Sequence, residues 1–313
     1  MRRVTTTALL LAICLIAATC GDEERDRKGS AQPQGAALRI TLGTQDFPEA
    51  RILGELWRQA LAVNGYTVDL RKRLGPTEEL DDALRAGEID GHVAYTGTSL
   101  SIVAGEEVSG LDPKETFDQV KAFYAGRGMA TSSKTPFEDV DAIATTDAFA
   151  RQHSLRTIAD LRELESFTLG ARPEFESLYL GLEGLEQVYG LTNATFEPVT
   201  LGAQYTALDE GDIDAANVFT TDPQLESDDY TVLQDPESLF GSQNAIMIVD
   251  ADKLETVGKE RFLRVVDAVN RQLTTSVIVG LNKAVNDGAD DGRVARGFLR
   301  TAGLLEPLEL DDR

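Results

Sequence analysis

The chain has very few of the residues that build covalent and metal-dependent sites. Only two of its 313 residues are cysteines, Cys14 and Cys20, and only two are histidines, His92 and His153. Because both cysteines lie near the start, the rest of the chain can form neither an internal disulfide nor a cysteine metal site. The histidines are far apart in sequence, which argues against a zinc site or a catalytic triad. These absences predict a protein with no metal and no cofactor.

Positive charge is also scarce. The chain has 30 Lys and Arg residues against 53 Asp and Glu residues, a formal net charge of −23. No basic stripe offsets this acidity, so we expect no nucleic-acid partner. The acidic stretches lack the alternating ligand spacing of a calcium loop, and the glycines form no phosphate-binding or dinucleotide-binding motif. Most of the acidity therefore indicates a solvated surface.

Long apolar runs are missing except near the start of the chain. Arg2 and Arg3 precede an apolar run over residues 8–18, and Cys20 follows shortly after it. This order is typical of a secretory signal peptide, and the run is shorter than the roughly 20 residues of a membrane span. Cys20 stands where a bacterial lipoprotein carries its lipidated cysteine. We therefore predict a lipoprotein signal peptide over residues 1–20, with an ordinary cleaved signal as the open alternative.

Residues 21–36 are rich in charged residues, Gly, Gln, Ser and Pro. Such a composition cannot bury a core, so this segment is predicted to be a flexible tether. The protein would then be lipid-anchored at the outer face of the cytoplasmic membrane, at the cell surface or in the periplasm.

Strand and helix patterns alternate along the remaining chain. Strands are predicted over residues 38–42, 66–70, 89–94, 139–145, 167–171, 215–218 and 245–249. Helices are predicted over residues 47–64 and 77–87 and in the tail from residue 259. Trp57 falls on the apolar face of the first helix, where it is expected in the core. This alternation predicts an α/β fold with a largely parallel sheet.

One helix–glycine–strand unit occurs twice. The first copy contains Gly-Glu-Ile-Asp at residues 87–90 and ends in Tyr95-Thr96, and the second contains Gly-Asp-Ile-Asp at residues 211–214 and ends in Phe219-Thr220. Ligands of open α/β sheets bind at the carboxyl ends of strands, so the repeat predicts two lobes that each offer an aromatic ring to a shared cleft. A chance match of two common junctions is the alternative.

Several motifs together resemble the glycine betaine/carnitine/choline (osmoprotectant) ABC transporter substrate-binding proteins. They lie at residues 43–49 (GTQDFPE), 52–56 (ILGEL), 87–90 (GEID), 95–98 (YTGT), 184–191 (GLEQVYGL), 201–208 (LGAQYTAL) and 218–223 (VFTTDP). The resemblance implies a two-lobed type II periplasmic-binding fold, with lobe one at 37–137 plus 247–313 and lobe two at 138–246. It also implies a monomer that carries a small-molecule ligand to ABC permease and ATPase subunits.

The same resemblance implies a cage of aromatic rings around a quaternary ammonium, held by cation–π attraction. Tyr95 matches a cage tyrosine, and Phe219 lies where another is usual. Thr98 matches a contact to the ligand carboxylate, and Gln45 matches a polar residue after the first strand.

Three positions depart from the family pattern. Asp141 and Gln243 fall where cage tyrosines are usual, and Leu178 falls where an arginine commonly binds the ligand carboxylate. Arg172 and Tyr179 lie close by and could substitute if the register shifts slightly. We predict a small cation or zwitterion countered by Asp141, with Gln243 as a hydrogen-bonding group. The alternative is that Asp141 faces solvent.

Two other functions compete with an importer's binding protein. A sensor or orphan binding lipoprotein of this fold with a different ligand is the first. An enzyme on the same fold is the second, since fold does not settle function. We predict no enzymatic activity, because the folded region offers no cysteine and no clustered histidines.

Overall fold

The computed structural model describes residues 38–308 of the chain. The predicted signal peptide, the tether and Cys20 lie outside these residues. The strands are β1 Leu38–Gly43, β2 Tyr66–Arg71, β3 Gly91–Tyr95, β4 Met129–Thr131, β5 Asp141–Thr146, β6 Phe167–Ala171, β7 Ala194–Pro198, β8 Ala215–Phe219, β9 Tyr230–Leu233 and β10 Ala245–Asp250. The helices are α1 Pro48–Val63, α2 Thr77–Arg85, α3 Thr96–Thr98, α4 Pro113–Ala125, α5 Asp147–His153, α6 Leu182–Tyr189, α7 Gln204–Glu210, α8 Ala251–Val257, α9 Lys259–Asn270, α10 Thr275–Asn286 and α11 Asp291–Thr301.

The strands form two five-stranded sheets with the same internal plan. The first has the order β2-β1-β3-β10-β4, and the second has the order β7-β6-β8-β5-β9. In each sheet, three strands that follow one another along the chain occupy one side. A strand that arrives from the other sheet, β10 or β5, pairs beside them. The predicted α/β fold is confirmed.

The prediction of a largely parallel sheet is only half right. Strand β1 pairs in parallel with β2 and β3, but β10 pairs antiparallel with both β3 and β4. The second sheet repeats this mixture, with β5 antiparallel to β8 and β9. The physical reason is the crossing, because β5 and β10 enter their sheets directly from the other sheet instead of through a helix that would turn them parallel.

The repeated unit plays the same part in each sheet. The Asp90 carboxylate accepts a hydrogen bond from the Thr41 amide of β1 at 2.7 Å. In the second copy the Asp214 carboxylate accepts one from the Thr168 amide of β6 at 2.8 Å. Each aspartate thus ties the start of β3 or β8 to the neighbouring strand. The repeat is therefore structural, because the aspartate that ends each acidic turn fixes the start of the following strand.

The chain crosses between the sheets twice, over residues 132–140 and 234–244. The two crossing segments touch each other, since Glu138 and Asn244 form an isolated antiparallel bridge and the Asp139 amide donates to the Gln243 carbonyl at 2.9 Å. The second predicted lobe boundary, at residue 247, falls within β10. The lobe boundaries themselves stay a prediction.

Helix α1 anchors the core behind the first sheet. Trp57 is 1% exposed, and its indole nitrogen donates to the Asn270 side-chain oxygen at 2.8 Å, so it lies in the core as predicted. The helix begins after Phe47 with Pro48 in its first turn, a position where a missing amide hydrogen costs nothing. The next residue, Glu49, is buried, which is unusual for an acid in a first helical turn.

Within residues 38–308, none of the helices combines the length and apolar character needed to cross a bilayer.

Candidate functional site

Three aromatic rings meet between the two sheets. Tyr95 is the last residue of β3 and Phe219 is the last residue of β8. Phe47, just before α1, lies between them, with ring centroids 5.8 Å from Tyr95 and 6.5 Å from Phe219. The Phe47 and Phe219 rings are nearly parallel, at 2°. The strand ends therefore present aromatic faces from both sheets to one region.

Tyr95 is held in place by buried polar groups. Its hydroxyl donates to Glu49 Oε1 at 3.0 Å, and Asn282 Nδ2 donates to Glu49 Oε2 at 2.9 Å. Asn282 also donates to the Thr221 carbonyl at 3.2 Å, which joins α10 to the segment that follows β8. Burial, followed by the nearby Glu49 charge, raises the pKa of Tyr95 well above its usual value, so the hydroxyl stays protonated and remains a donor.

The predicted polar residues Gln45, Thr98 and Gln243 lie around β3, the strand that ends in Tyr95. Gln45 Nε2 donates to the Val93 carbonyl at 3.2 Å, and its Oε1 has no hydrogen-bond partner among the described residues. Gln243 Oε1 accepts from the Thr98 amide at 2.9 Å and from the Thr98 hydroxyl at 3.3 Å. Gln243 thus positions Thr98 and the short helix α3 after β3.

Asp141 pairs with an arginine inside the protein. Its Oδ1 accepts from Arg172 Nη1 and from Asn217 Nδ2, each at 2.9 Å. The Arg172 guanidinium also lies 5.5 Å from the Phe219 ring centroid and 5.4 Å from that of Phe175. Asp141 is 8% exposed, so it does not face solvent. Its charge is already matched by a protein cation.

A cavity of about 360 Å³ opens beside the Phe47 and Phe219 rings. Its wall comes from the start of α1, the start of α7, the end of β8 and α10. Four acids line it and, among the described residues, no lysine or arginine does. We call it the acidic cavity; its acids are Asp46, Glu49, Asp139 and Asp222.

Two of these acids, Glu49 and Asp139, are buried, and Asp222 is half-buried. Burial is the main cause of the raised pKa of Glu49, and Asp222 adds to it. Burial also raises the pKa of Asp139 well above its usual value, and the charge of Glu49 raises it further. Burial also raises the pKa of Asp222, although its carboxylate accepts hydrogen bonds from the Phe219 amide at 3.1 Å and the Tyr205 hydroxyl at 2.9 Å. A positive charge placed in the cavity would therefore stabilise the ionised form of these carboxyl groups.

Only one of the six predicted ligand-binding residues, Phe219, lines the acidic cavity. Tyr95 touches the cavity wall through Glu49, whereas the other four lie in the surrounding framework. Sequence reasoning missed Glu49, Asp139 and Asn282. Glu49 lies inside a quoted motif, but an acid in the first turn of a helix is usually a solvated partner of the helix dipole. Nothing in the sequence singles out Asn282.

A second hollow, of about 380 Å³, lies elsewhere, beside Glu55, Lys72 and Asp291. Lys72 Nζ is 2.7 Å from Glu55 and 2.9 Å from Asp291. Because these charges already neutralise one another, we assign this hollow a structural role. In residues 38–308 no group of three or more His, Cys, Asp or Glu side chains is placed to hold a metal ion.

Comparison with known proteins adds a family match. Residues 39–301 match the family described as "Substrate binding domain of ABC-type glycine betaine transport system". The chain is 22% identical over 271 residues to the ergothioneine transport permease/ergothioneine binding protein EgtU of Helicobacter pylori, covering 85% of this chain and 48% of that protein. It therefore spans about half the length of that relative. It is 25% identical over 211 residues to the carnitine transport binding protein OpuCC of Listeria monocytogenes, covering 66% of this chain and 68% of the relative.

A solved structure shares the fold. The crystal structure of a glycine betaine/carnitine/choline ABC transporter protein superposes with a TM-score of 0.71 at 23% identity, covering 85% of this chain and 100% of the other. The two-lobed periplasmic-binding fold predicted from the resemblance is thereby confirmed.

Proposed function

This chain belongs to the family of substrate-binding domains of ABC-type glycine betaine transport systems, and we propose that it captures a small cationic or zwitterionic solute of the betaine and choline class between its two sheets. Membership confirms the resemblance predicted from the motifs and the prediction of a binding protein without catalysis. We further propose that the captured solute is passed to ABC permease and ATPase subunits and that the protein acts as a monomer.

One observation supports a positively charged ligand above all others. The acidic cavity combines parallel aromatic faces from Phe47 and Phe219 with buried carboxyl groups, and no lysine or arginine of the described chain lines it. A ring face attracts an organic cation by about 0.5–2 kcal/mol, depending on how dry the site is. Carboxylates add attraction that strengthens as water is excluded. The Arg172 guanidinium beside the Phe219 ring is already paired with Asp141, so an anionic solute would meet net negative charge there.

The six predicted ligand-binding residues keep distinct roles in this proposal. Phe219 supplies a ring face, whereas Tyr95 and Gln45 act from behind the cavity wall. Tyr95 holds Glu49 through its hydroxyl, and Gln45 donates to the Val93 carbonyl of β3. Gln243 and Thr98 act together, because the glutamine oxygen holds the Thr98 amide and hydroxyl. We propose that Asp141 acts through Arg172, which it holds over the Phe219 ring, since the arginine already neutralises its charge.

A thermal-shift screen tests the ligand class. Betaines, choline, carnitine, amino acids and polyamines are compared with neutral sugars and anions. A ligand at 100 times its dissociation constant stabilises the folded state by about 2.7 kcal/mol, which is readily seen as a higher melting temperature. We expect stabilisation by cations or zwitterions, weakened in Phe219→Ala and unchanged in Phe149→Ala, a half-buried phenylalanine of α5. Stabilisation by sugars or anions alone would contradict the proposal.

We also propose that Cys20 is lipidated and anchors the protein to the outer face of the cytoplasmic membrane. The support is the basic, apolar and small-residue order before Cys20. Cys20→Ala should release the protein from the membrane fraction in its natural host, whereas Cys14→Ala should leave it attached. Membrane attachment that survives Cys20→Ala would exclude the anchor.

A further inference from the structure

Within the described chain, three of the four acids of the acidic cavity form no salt bridge, and the fourth, the exposed Asp46, pairs with Arg51. No lysine, arginine or histidine among residues 38–308 comes within salt-bridge distance of Glu49, Asp139 or Asp222. Glu49 is 3% exposed and Asp139 is 7% exposed. A buried carboxylate without a cation is costly, so natural proteins normally pair such groups. A proton or a bound cation must therefore neutralise Glu49 and Asp139.

A separate polar group in the cavity wall favours the bound cation. Asn282 is 6% exposed, and its Oδ1 has no hydrogen-bond partner within the described chain. The orientation of its amide is set by its neighbours, because Nδ2 faces two acceptors, a Glu49 carboxylate oxygen and the Thr221 carbonyl. The free atom is therefore the oxygen. A buried amide oxygen without a donor costs free energy, which a ligand N–H would recover.

The buried polar atoms of the cavity wall that remain without a partner within residues 38–308 are acceptors. Asp139 receives one hydrogen bond, from the Thr221 hydroxyl at 2.6 Å, on Oδ1. Its other oxygen, the Glu49 carboxylate and Asn282 Oδ1 can all accept. A quaternary ammonium carries no N–H to donate, and a ligand carboxylate would meet like charge. The wall therefore matches a ligand that is positively charged, rich in N–H donors and free of carboxylate.

We propose that the acidic cavity binds an organic cation bearing N–H groups and no carboxylate, such as a primary ammonium or a guanidinium, held by Glu49, Asp139 and Asn282 Oδ1 against the ring of Phe219. This inference rests on the positive charge of the ligand in the proposed function and replaces its quaternary ammonium by a cation that carries N–H groups. The cavity volume of about 360 Å³ suits a small ligand, because such sites commonly enclose about 300–1,000 Å³. Burial raises the pKa of Glu49 and of Asp139, which agrees with acids that have no lysine, arginine or histidine of the described chain within salt-bridge distance.

A methylation series at constant charge separates this proposal from an aromatic cage. Calorimetry on the purified protein compares ethanolamine, N-methylethanolamine, N,N-dimethylethanolamine and choline, in which each added methyl group replaces one N–H. We expect affinity to fall along the series by at least about tenfold overall, because each lost hydrogen bond leaves a buried acceptor unsatisfied. Glycine betaine should bind more weakly than choline, since it adds a carboxylate. Affinity that rises with methylation would overturn the inference.

Two variants assign the effect to the cavity. Glu49→Gln and Asp139→Asn each keep the side-chain shape while removing the charge, and each should weaken ethanolamine binding by at least about tenfold. Each should also flatten the methylation series. The matched control is Glu186→Gln, an exposed acid of α6, which should leave both unchanged. Melting curves of every variant show that the protein is folded before binding is compared.

The outcomes separate this inference from the broader function. Tighter binding of choline or glycine betaine than of ethanolamine would reject the N–H cation and leave the proposed function intact. Equal binding by wild type, Glu49→Gln and Asp139→Asn would place the ligand elsewhere and reject the inference. If neither this series nor any solute of the thermal-shift screen binds, both proposals fail.

Discussion

Replacing Asp139 by asparagine should stabilise the ligand-free protein at neutral pH. Burial and the charge of Glu49 raise the pKa of the Asp139 carboxyl well above its usual value. Asparagine has nearly the same shape, and its side-chain oxygen can still accept from Thr221, whose hydroxyl lies 2.6 Å away. The substitution therefore removes the cost of either charging or protonating a buried carboxyl group while keeping the hydrogen bond. The free energy of unfolding should rise even though ligand binding is weakened.

The size of the gain follows from the cost of an uncompensated buried group. Leaving a polar group buried without its partner costs about 1–3 kcal/mol, and more when it is charged. For a protein of about this size, each kcal/mol moves the melting temperature by about 2–4 °C. We therefore expect Asp139→Asn to melt about 3–10 °C above wild type at pH 8. This direction is the reverse of most substitutions of buried groups.

The change of the stability difference with pH tests whether Asp139 is the cause. Because the pKa of Asp139 is raised on folding, folded wild type holds a proton that the unfolded chain releases, and wild-type stability falls as pH rises between the two pKa values. The advantage of the asparagine variant should therefore be larger at pH 8 than at pH 5. Calorimetric melting of both proteins at each pH measures it, with Asp118→Asn, an exposed acid, as control. A variant less stable than wild type at pH 8, or a difference that ignores pH, would refute the reasoning.

Three other predictions test the framework and the site. Asp90→Ala and Asp214→Ala should each lower the free energy of unfolding, measured in urea, by about 1–3 kcal/mol, because each leaves a backbone amide of the adjacent strand without its acceptor. A loss of stability in only one of the two variants would contradict their equivalence. Arg172→Met should lower the free energy of unfolding by about 3–5 kcal/mol by leaving Asp141 buried without its cation, and adding Asp141→Asn should recover part of the loss; no recovery would show that the pair is not the cause. Binding of ethanolamine should weaken as pH falls toward 5, because protonation removes the negative charge of the acidic cavity; calorimetry in two buffers should show proton release, and proton uptake would be inconsistent.

Much of the fold could be predicted because its signals are local. The predicted strand at residues 167–171 coincides with β6, and the predicted helix at 47–64 differs from α1 by one residue at each end. The glycines that close the two repeated helices, Gly87 and Gly211, adopt φ values of +72° and +77°. Side chains rarely adopt this left-handed conformation, so glycine at the end of an apolar helical pattern is a strong signal. The direction of β5 and β10 has no such local signal.

The sites of the two aromatic residues were predictable for the same reason. Tyr95 and Phe219 follow matching Gly-acid-Ile-Asp turns, so the repeat alone indicates that each is the last residue of a strand, at the carboxyl edge of its own sheet. The pairing of Asp141 with the cation of Arg172 was not predictable. Asp141 and Arg172 are 31 positions apart, and their pairing depends on how β5 and the segment after β6 approach each other.

The sequence by itself determined the α/β class, the repeat, the aromatic strand ends and the family, because periodicity, glycine turns and ordered motifs are properties of neighbouring residues. Only the tertiary structure decided which carboxyl groups lose their solvent. Glu49 and Asn282 are 233 positions apart, yet they meet in one cavity wall where neither has a charged protein partner among the described residues. Burial and pairing depend on every element that packs around a group, so an acid on a helix and an acid in a binding cavity look alike until the chain is folded.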